Sequence, residues 1–388
     1  MRLPKQVEII EVGPRDGFQN VRDFIETPQK IAIVDALAEA GFGTMEVTSF
    51  VHPKAIPQMA DAEAVLTHAR RKYAGRMKLA VLVPNLFGAR KAVSLAVDEM
   101  SYVISASERH NLENTRQTVD QSLQALKEVL AEKGQVKLRL SVATAFACPF
   151  LGKTPLESVA RIIDAGLEMG VDDIMIADTI GTANPLHVEE LLTYLQQRYP
   201  GQAFVMHVHD TRGMGLANCL KALEMGVHRF ESSAGGLGGC PFAPGAAGNI
   251  ATEDLVNMLH EMKLSTGIDA DKLLAAVRLI APRYIRSRDG DLNDSLQVEF
   301  ALKGLGSAGQ NAQRVLRHLA QRVRGAHAQA ELLAQQGQHQ AGRAQLVKAL
   351  RQAGVAVVVA DHAVAGRRQR LRQRVGPGDE LHAQAHDQ

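Results

Sequence analysis

Eight short runs rich in β-branched and other apolar residues recur along roughly the first 300 residues, separated by helix-length stretches, and together they predict an α/β chain folded as a (β/α)8 TIM barrel. Composition agrees, with 46% hydrophobic residues, 33 glycines, only 4% aromatic residues and no Trp, a balance suited to packed layers of strand and helix. The competing doubly wound sheet is expected to carry a Gly-rich phosphate fingerprint after its first strand. Here that strand runs into Gly13-Pro14-Arg15-Asp16-Gly17 instead.

Residues 7–12 (VEIIEV) open the series. Thr27-Pro28 then starts a helix, because Pro loses nothing at a first turn whose N–H has no intrahelical partner. Residues 44–48 (TMEVT), 78–83 (KLAVLV), 100–105 (MSYVIS) and 137–142 (KLRLSV) supply the next four strands. Thr154-Pro155-Leu156-Glu157 reads as a capping box with Pro in the first turn, and residues 173–177 (DIMIA) follow as strand six. Asn184-Pro185 starts a helix before HVEELLTYLQQ, and residues 204–208 (FVMHV) and 229–233 (RFESS) close the set.

These elements place a catalytic barrel domain over residues 1–302. Residues 303–388 form a tail rich in Ala, Gln, Arg and His, without a sustained apolar face, expected to be partly helical or disordered. The tail carries 13 Lys and Arg against 5 Asp and Glu, out of 44 and 42 in the chain, which leaves 31 against 37 in the body. A solvated basic appendage is the plainer reading of its Arg-rich stretch, and nucleic acid is not the expected partner. No apolar run reaches the roughly 18 residues of a membrane span, and the chain opens without a signal-peptide pattern. The three cysteines, Cys148, Cys219 and Cys240, form neither a disulfide framework nor a CxxC pair. A cytoplasmic protein is expected.

A barrel of this kind carries its working groups at the C-terminal ends of its strands, and polar residues gather there. Glu11, Arg15 and Asp16 follow strand one; strand two holds Glu46 and is followed by Ser49; Asp178 ends strand six; His207 and His209 sit on strand seven; Cys240 and Asn249 lie beyond strand eight. In His207-Val208-His209, residues two apart on a strand project to one face, so both imidazoles can reach one point. With Asp16 and Asn249 on the same rim they offer two nitrogens and two oxygens, a set suited to Mg2+ or Mn2+. Zinc fits less well, since neither a thiolate cluster nor HExxH accompanies them. The stretch GGLGGCPFAPGAAGN (residues 235–249) is no Walker loop; its six glycines permit positive φ and close backbone approach over a ligand, with Cys240 at its middle. Cys219, in a helical run, reads as a small core residue.

Taken together, EVGPRDGFQN (residues 11–20), EVTSF (46–50), ADTIG (177–181), HVHDT (207–211) and GLGGCPFAPGAAGNIATED (236–254) resemble the 3-hydroxy-3-methylglutaryl-CoA lyase family, in order over about residues 5–300. The resemblance implies a divalent metal held by Asp16, His207, His209 and Asn249, and cleavage of 3-hydroxy-3-methylglutaryl-CoA to acetyl-CoA and acetoacetate. It implies Cys240 as proton donor, Arg15 as stabiliser of the thioester enolate, and Glu46 as a proton-transfer aid or as the partner that orients Arg15. Ser49 and Asp178 fall on the substrate side, and Glu11 and Glu253 behind the ligands. The resemblance further implies a CoA-thioester substrate, a homodimer and a place in leucine degradation. Arg212, where the family often has an aromatic residue, and Ala234-Gly235, where it often has bulkier ones, leave open a related citramalyl-type thioester; the runner-up is the condensing, synthase direction on the same barrel.

Overall fold

The computed structural model describes residues 3–21, 23–239 and 248–284. The tail assigned to residues 303–388 and the proton donor assigned to Cys240 lie outside the described residues.

Eight parallel strands close into a barrel: β1 (Glu8–Glu11), β2 (Thr44–Ser49), β3 (Lys78–Leu82), β4 (Glu99–Ser105), β5 (Lys137–Ala143), then β8 (Asp173–Asp178), β9 (Val205–Val208) and β10 (Arg229–Ser232), the last pairing back onto β1. Each coincides with one of the eight runs, to within a residue at either end. The chain alternates in and out of a layer of helices: α1 (Thr27–Glu39), α2 (Ala62–Tyr73), α3 (Leu86–Ser94), α4 (Glu108–Thr115), α5 (Val119–Glu132), α6 (Leu156–Met169), α7 (Pro185–Arg198), α8 (Gly215–Glu224), α9 (Thr252–Glu261) and α10 (Ala270–Tyr284). A two-stranded hairpin, β6 (Ala147–Cys148) with β7 (Gly152–Lys153), rises between β5 and α6.

The main apolar core lies between strands and helices, with Leu37, Leu66, Val81, Leu126, Ile163, Leu192 and Phe230 among its buried members. A second small cluster of Ile10, Val12, Met175, Ala177 and Val205 comes from β1, its following residue, β8 and β9. Cys219 is buried on α8, as a small core residue should be, and burial pushes its thiol pKa up.

Two helix starts behave differently from one another. Asn184 caps α7 as expected, its side-chain oxygen accepting from the Leu186 and His187 N–H groups. The capping box expected at Thr154 does not form, because α6 starts one residue later and Pro155 occupies the cap position without a side-chain bond. The Thr154 hydroxyl instead donates to the Thr144 carbonyl at 2.7 Å, tying the base of the hairpin to the end of β5. The box motif forms at Thr118, whose hydroxyl and Gln121 exchange hydrogen bonds with each other's backbone N–H.

Among the described residues, no helix is long and apolar enough to cross a membrane.

Candidate active site

Strand one delivers its chemistry through a tight turn. Residues Gly13–Gly17 form one π-helical turn, anchored on the Val12 carbonyl, which turns Arg15 and Asp16 inward so that both are buried. The Arg15 guanidinium donates through Nε to Glu46 and through Nη1 to Asp16. Glu46 comes from β2, where the pairing with β3 shifts register between Glu46 and Thr48; its second oxygen accepts from the Ser101 hydroxyl of β4. Burial disfavours the Arg15 charge, but Glu46 and Asp16 outweigh it and raise its pKa further, so the cation is permanent.

Strand seven, β9, ends at Val208, and His207 and His209 stand on the same side of it with ring centroids 5.0 Å apart. One ligand atom from each of Asp16, His207 and His209 lies within 4.8 Å of the others, and all three residues are buried. Residues 248–250 run antiparallel past the end of β9, through Asp210 N–H to Gly248 and Ile250 N–H to Val208. That pairing carries Asn249 into the group, where its amide donates to Asp16 Oδ2 at 2.6 Å and to the Leu237 carbonyl at 3.0 Å.

Whether these groups suit a cation can be judged from their unmet needs. Among the described residues, Asn249 Oδ1 and His209 Nδ1 are buried with no hydrogen-bond partner, and for an amide oxygen beside Asp16 a bound cation would relieve that cost. Burial alone would push the Asp16 carboxyl up, but Arg15, His207 and His209 together hold it down at about 2. Burial and the neighbouring His207 push His209 down to about 3, leaving a neutral ring with a lone pair. An ionised carboxylate, neutral imidazole nitrogen and an amide oxygen fit a divalent cation.

The remaining expected residues fall around this centre. Glu11 sits outside the barrel wall, accepting from Gly13 N–H at 2.8 Å, Ala234 N–H at 2.9 Å and the Thr252 hydroxyl at 2.7 Å, so it ties the first turn to the loop after β10. Glu253, in the first turn of α9, accepts from Gly235 N–H at 2.9 Å. Burial raises Glu11 to about 7 and, with Asp254, Glu253 to about 8. Asp178 turns back on its own loop, accepting from Thr182 and Ala183 N–H groups, and burial lifts it to about 6 against those bonds. Ser49 accepts from Val51 N–H at 3.2 Å. Gly235, Gly236 and Gly238 all adopt positive φ, the freedom expected of that Gly-rich stretch.

Sequence reasoning missed Glu231 and Arg139. Glu231 stands directly opposite His207 in the β10–β9 register, its Oε2 2.9 Å from His207 Nδ1, and its Oε1 accepts from Arg139 at 2.8 Å. Burial opposes charge on both members of the pair, yet their mutual attraction raises His207 and lowers Glu231. The signal was present: in Arg229-Phe230-Glu231-Ser232, period-two alternation sets Glu231 opposite in face to buried Phe230.

Comparison with known proteins gives the same outline. The HMGL-like family model matches residues 6–280. A hydroxymethylglutaryl-CoA lyase of Bacillus subtilis, YngG, is 44% identical over 282 residues, covering 72% of this chain and 94% of that protein. The crystal structure of the Bacillus subtilis HMG-CoA lyase superposes with a TM-score of 0.71 at 42% identity, over 74% of this chain and 98% of that one. An HMG-CoA lyase from Acinetobacter baumannii in complex with coenzyme A and 3-methylmalate gives 0.68 at 40% identity, over 74% and 97%.

Proposed function

The chain belongs to the HMGL-like family and is a carbon–carbon lyase, and from that premise we propose that it cleaves 3-hydroxy-3-methylglutaryl-CoA into acetyl-CoA and acetoacetate at the group around Asp16. The observation that carries the reading is the convergence of Asp16, His207 and His209 beside a permanently charged arginine, in a chain alike to such lyases over most of their length.

We assign Mg2+ or Mn2+ to Asp16, His207, His209 and Asn249. Two imidazoles, a carboxylate and an amide oxygen would suit either ion. When bound, such a cation supplies Lewis acidity that favours ionisation of the substrate's C3 hydroxyl, worth several kcal/mol.

Once the C3 hydroxyl proton has passed to solvent, breaking the C2–C3 bond leaves its electron pair on the thioester half as an enolate, while C3 becomes the ketone carbon of acetoacetate. Arg15 is suited to that developing oxyanion, because a guanidinium locked by Glu46 and Asp16 needs no reorganisation as charge moves toward it. Glu46, shared between Arg15 and Ser101, orients that guanidinium. The enolate carbon must then gain a proton, a role we assign to Cys240 from the sequence. Ser49 and Asp178 are assigned to substrate contact, and Glu11 and Glu253 to steadying the turn and loop behind the ligands. A homodimer acting in the cytoplasm on a CoA thioester completes the proposal, its compartment resting on the cysteine pattern.

Chain loaded with Mg2+ and offered a panel of 3-hydroxyacyl-CoA thioesters tests it. Acetoacetate and acetyl-CoA from the 3-hydroxy-3-methylglutaryl thioester are the expected products. Pyruvate released from a citramalyl thioester, with no acetoacetate from the other, would reassign the substrate. Net condensation of acetyl-CoA with a 2-oxo acid would reassign the direction.

A further inference from the structure

We propose that Glu231 is a positioning residue for the metal centre: clamped by Arg139, it accepts the Nδ1 proton of His207 and so fixes the tautomer whose Nε2 lone pair is available to the cation. The inference rests on the reading that Asp16, His207 and His209 hold that cation.

The geometry assigns one donor to each oxygen of the carboxylate. Oε1 accepts from Arg139 Nη1 at 2.8 Å and Oε2 faces His207 Nδ1 at 2.9 Å, all in a setting where Glu231 is 2% exposed and Arg139 1%. An ionised carboxylate has no proton to give, so Nδ1 carries one, and in the neutral ring that leaves the lone pair on Nε2. The β10–β9 register sets Glu231 and His207 side by side, so the contact needs no long reach.

Charge balance at the base of the barrel does not require Glu231. Arg139 also pairs with Glu99 and Asp173, and Arg229 pairs with Glu8 and Asp173. Among the described residues, Glu231 supplies the link from that buried network to a ring at the metal group.

The isosteric change Glu231→Gln separates these roles. Arg139 can only donate, so it takes the amide oxygen and turns the amide NH2 toward His207. Nδ1 must then accept, the ring proton moves to Nε2, and the lone pair needed by the cation is lost.

The test uses the full chain stripped of metal and titrated with Mn2+, with the free ion followed by electron paramagnetic resonance. It is paired with nitrogen NMR of the imidazoles in the Mg2+-loaded wild-type chain. Glu231→Gln is expected to bind Mn2+ on the order of 10- to 100-fold more weakly, and wild-type His207 is expected to carry its proton on Nδ1. Mn2+ affinity within about twofold of wild type in a folded Glu231→Gln chain overturns the proposal, as does an unprotonated Nδ1 in the wild type. The NMR measurement decides the matter even if the variant fails to fold. A wild-type chain that binds no Mn2+ removes the metal reading and this inference with it, an outcome distinct from equal binding by both chains.

Discussion

The amide of Asn249 donates to the Asp16 carboxylate at 2.6 Å, joining residues 233 positions apart in the chain. Through that bond the segment beyond β10 and the turn after β1 meet at one carboxylate, and the same amide holds the Leu237 carbonyl. Asn249→Ala is therefore expected to weaken Mn2+ binding and to cost about 1–3 kcal/mol of stability, since a charged acceptor loses a buried donor. Metal titration beside thermal unfolding checks both; unchanged affinity would remove Asn249 from the ligand group.

Gly238 adopts φ +122, and a Cβ there would lie 2.5 Å from Asn249 Nδ2. Gly238→Ala should depress turnover by displacing Asn249, beyond the cost of about 1 kcal/mol or more for forcing alanine into that conformation. Gly134→Ala, at φ +57 with open space around it, carries the conformational cost alone and should keep its turnover. Equal kcat in the two variants would contradict the displacement.

Chelation should abolish turnover, with Mg2+ or Mn2+ restoring it. Cys240→Ala should collapse kcat while leaving bound metal intact, because the thiol is assigned to proton delivery and not to ligation. Full activity in Cys240→Ala would return the proton-donor role to another group.

Glu11 and Glu253 hold folded pKa values of about 7 and about 8, above the value of 4.5 for an unburied Glu. Below pH 4.5 both states are protonated and nothing is lost. Between there and pH 8 the folded chain keeps protons that the unfolded chain has released, so stability falls as pH rises and then levels off. Each group contributes at most about 1.4 kcal/mol per pH unit. Denaturant unfolding of metal-free chain from pH 5 to 8 should show this decline, and Glu253→Gln should flatten it. An identical slope in the variant would show that Glu253 is ionised throughout.

Deleting residues 303–388 should spare turnover, since every side chain assigned to the chemistry precedes them and the family match ends at residue 280. A strong loss would show that the basic tail completes the site or an assembly.

Lys30 is a buried cation that local patterning does not reveal. It is 3% exposed, bonded to Asp61 at 2.6 Å, and nothing in KIAIVDALAEAG marks it as a buried charge. Local patterns, by contrast, were plain. All eight barrel strands, the Asn184 cap and the shared face of His207 and His209 could be read directly, because period-two alternation and capping chemistry are set by neighbours in the chain. Thr154 misled because the helix starts one residue later, with Pro155 at the cap position, and its hydroxyl bonds the Thr144 carbonyl instead.

By itself the sequence determined the barrel, the order of its elements and which polar residues stand at the strand ends. Tertiary structure alone decided who partners whom: Glu231 with His207 and Arg139, Glu46 with Arg15 and Ser101, Asn249 with Asp16. The reason is physical. Alternation and helix starts are written in residues a few positions apart, whereas a buried charge takes the partner that strand register and barrel closure bring to it, and those come from segments as far apart as the 241 positions between Glu11 and Thr252.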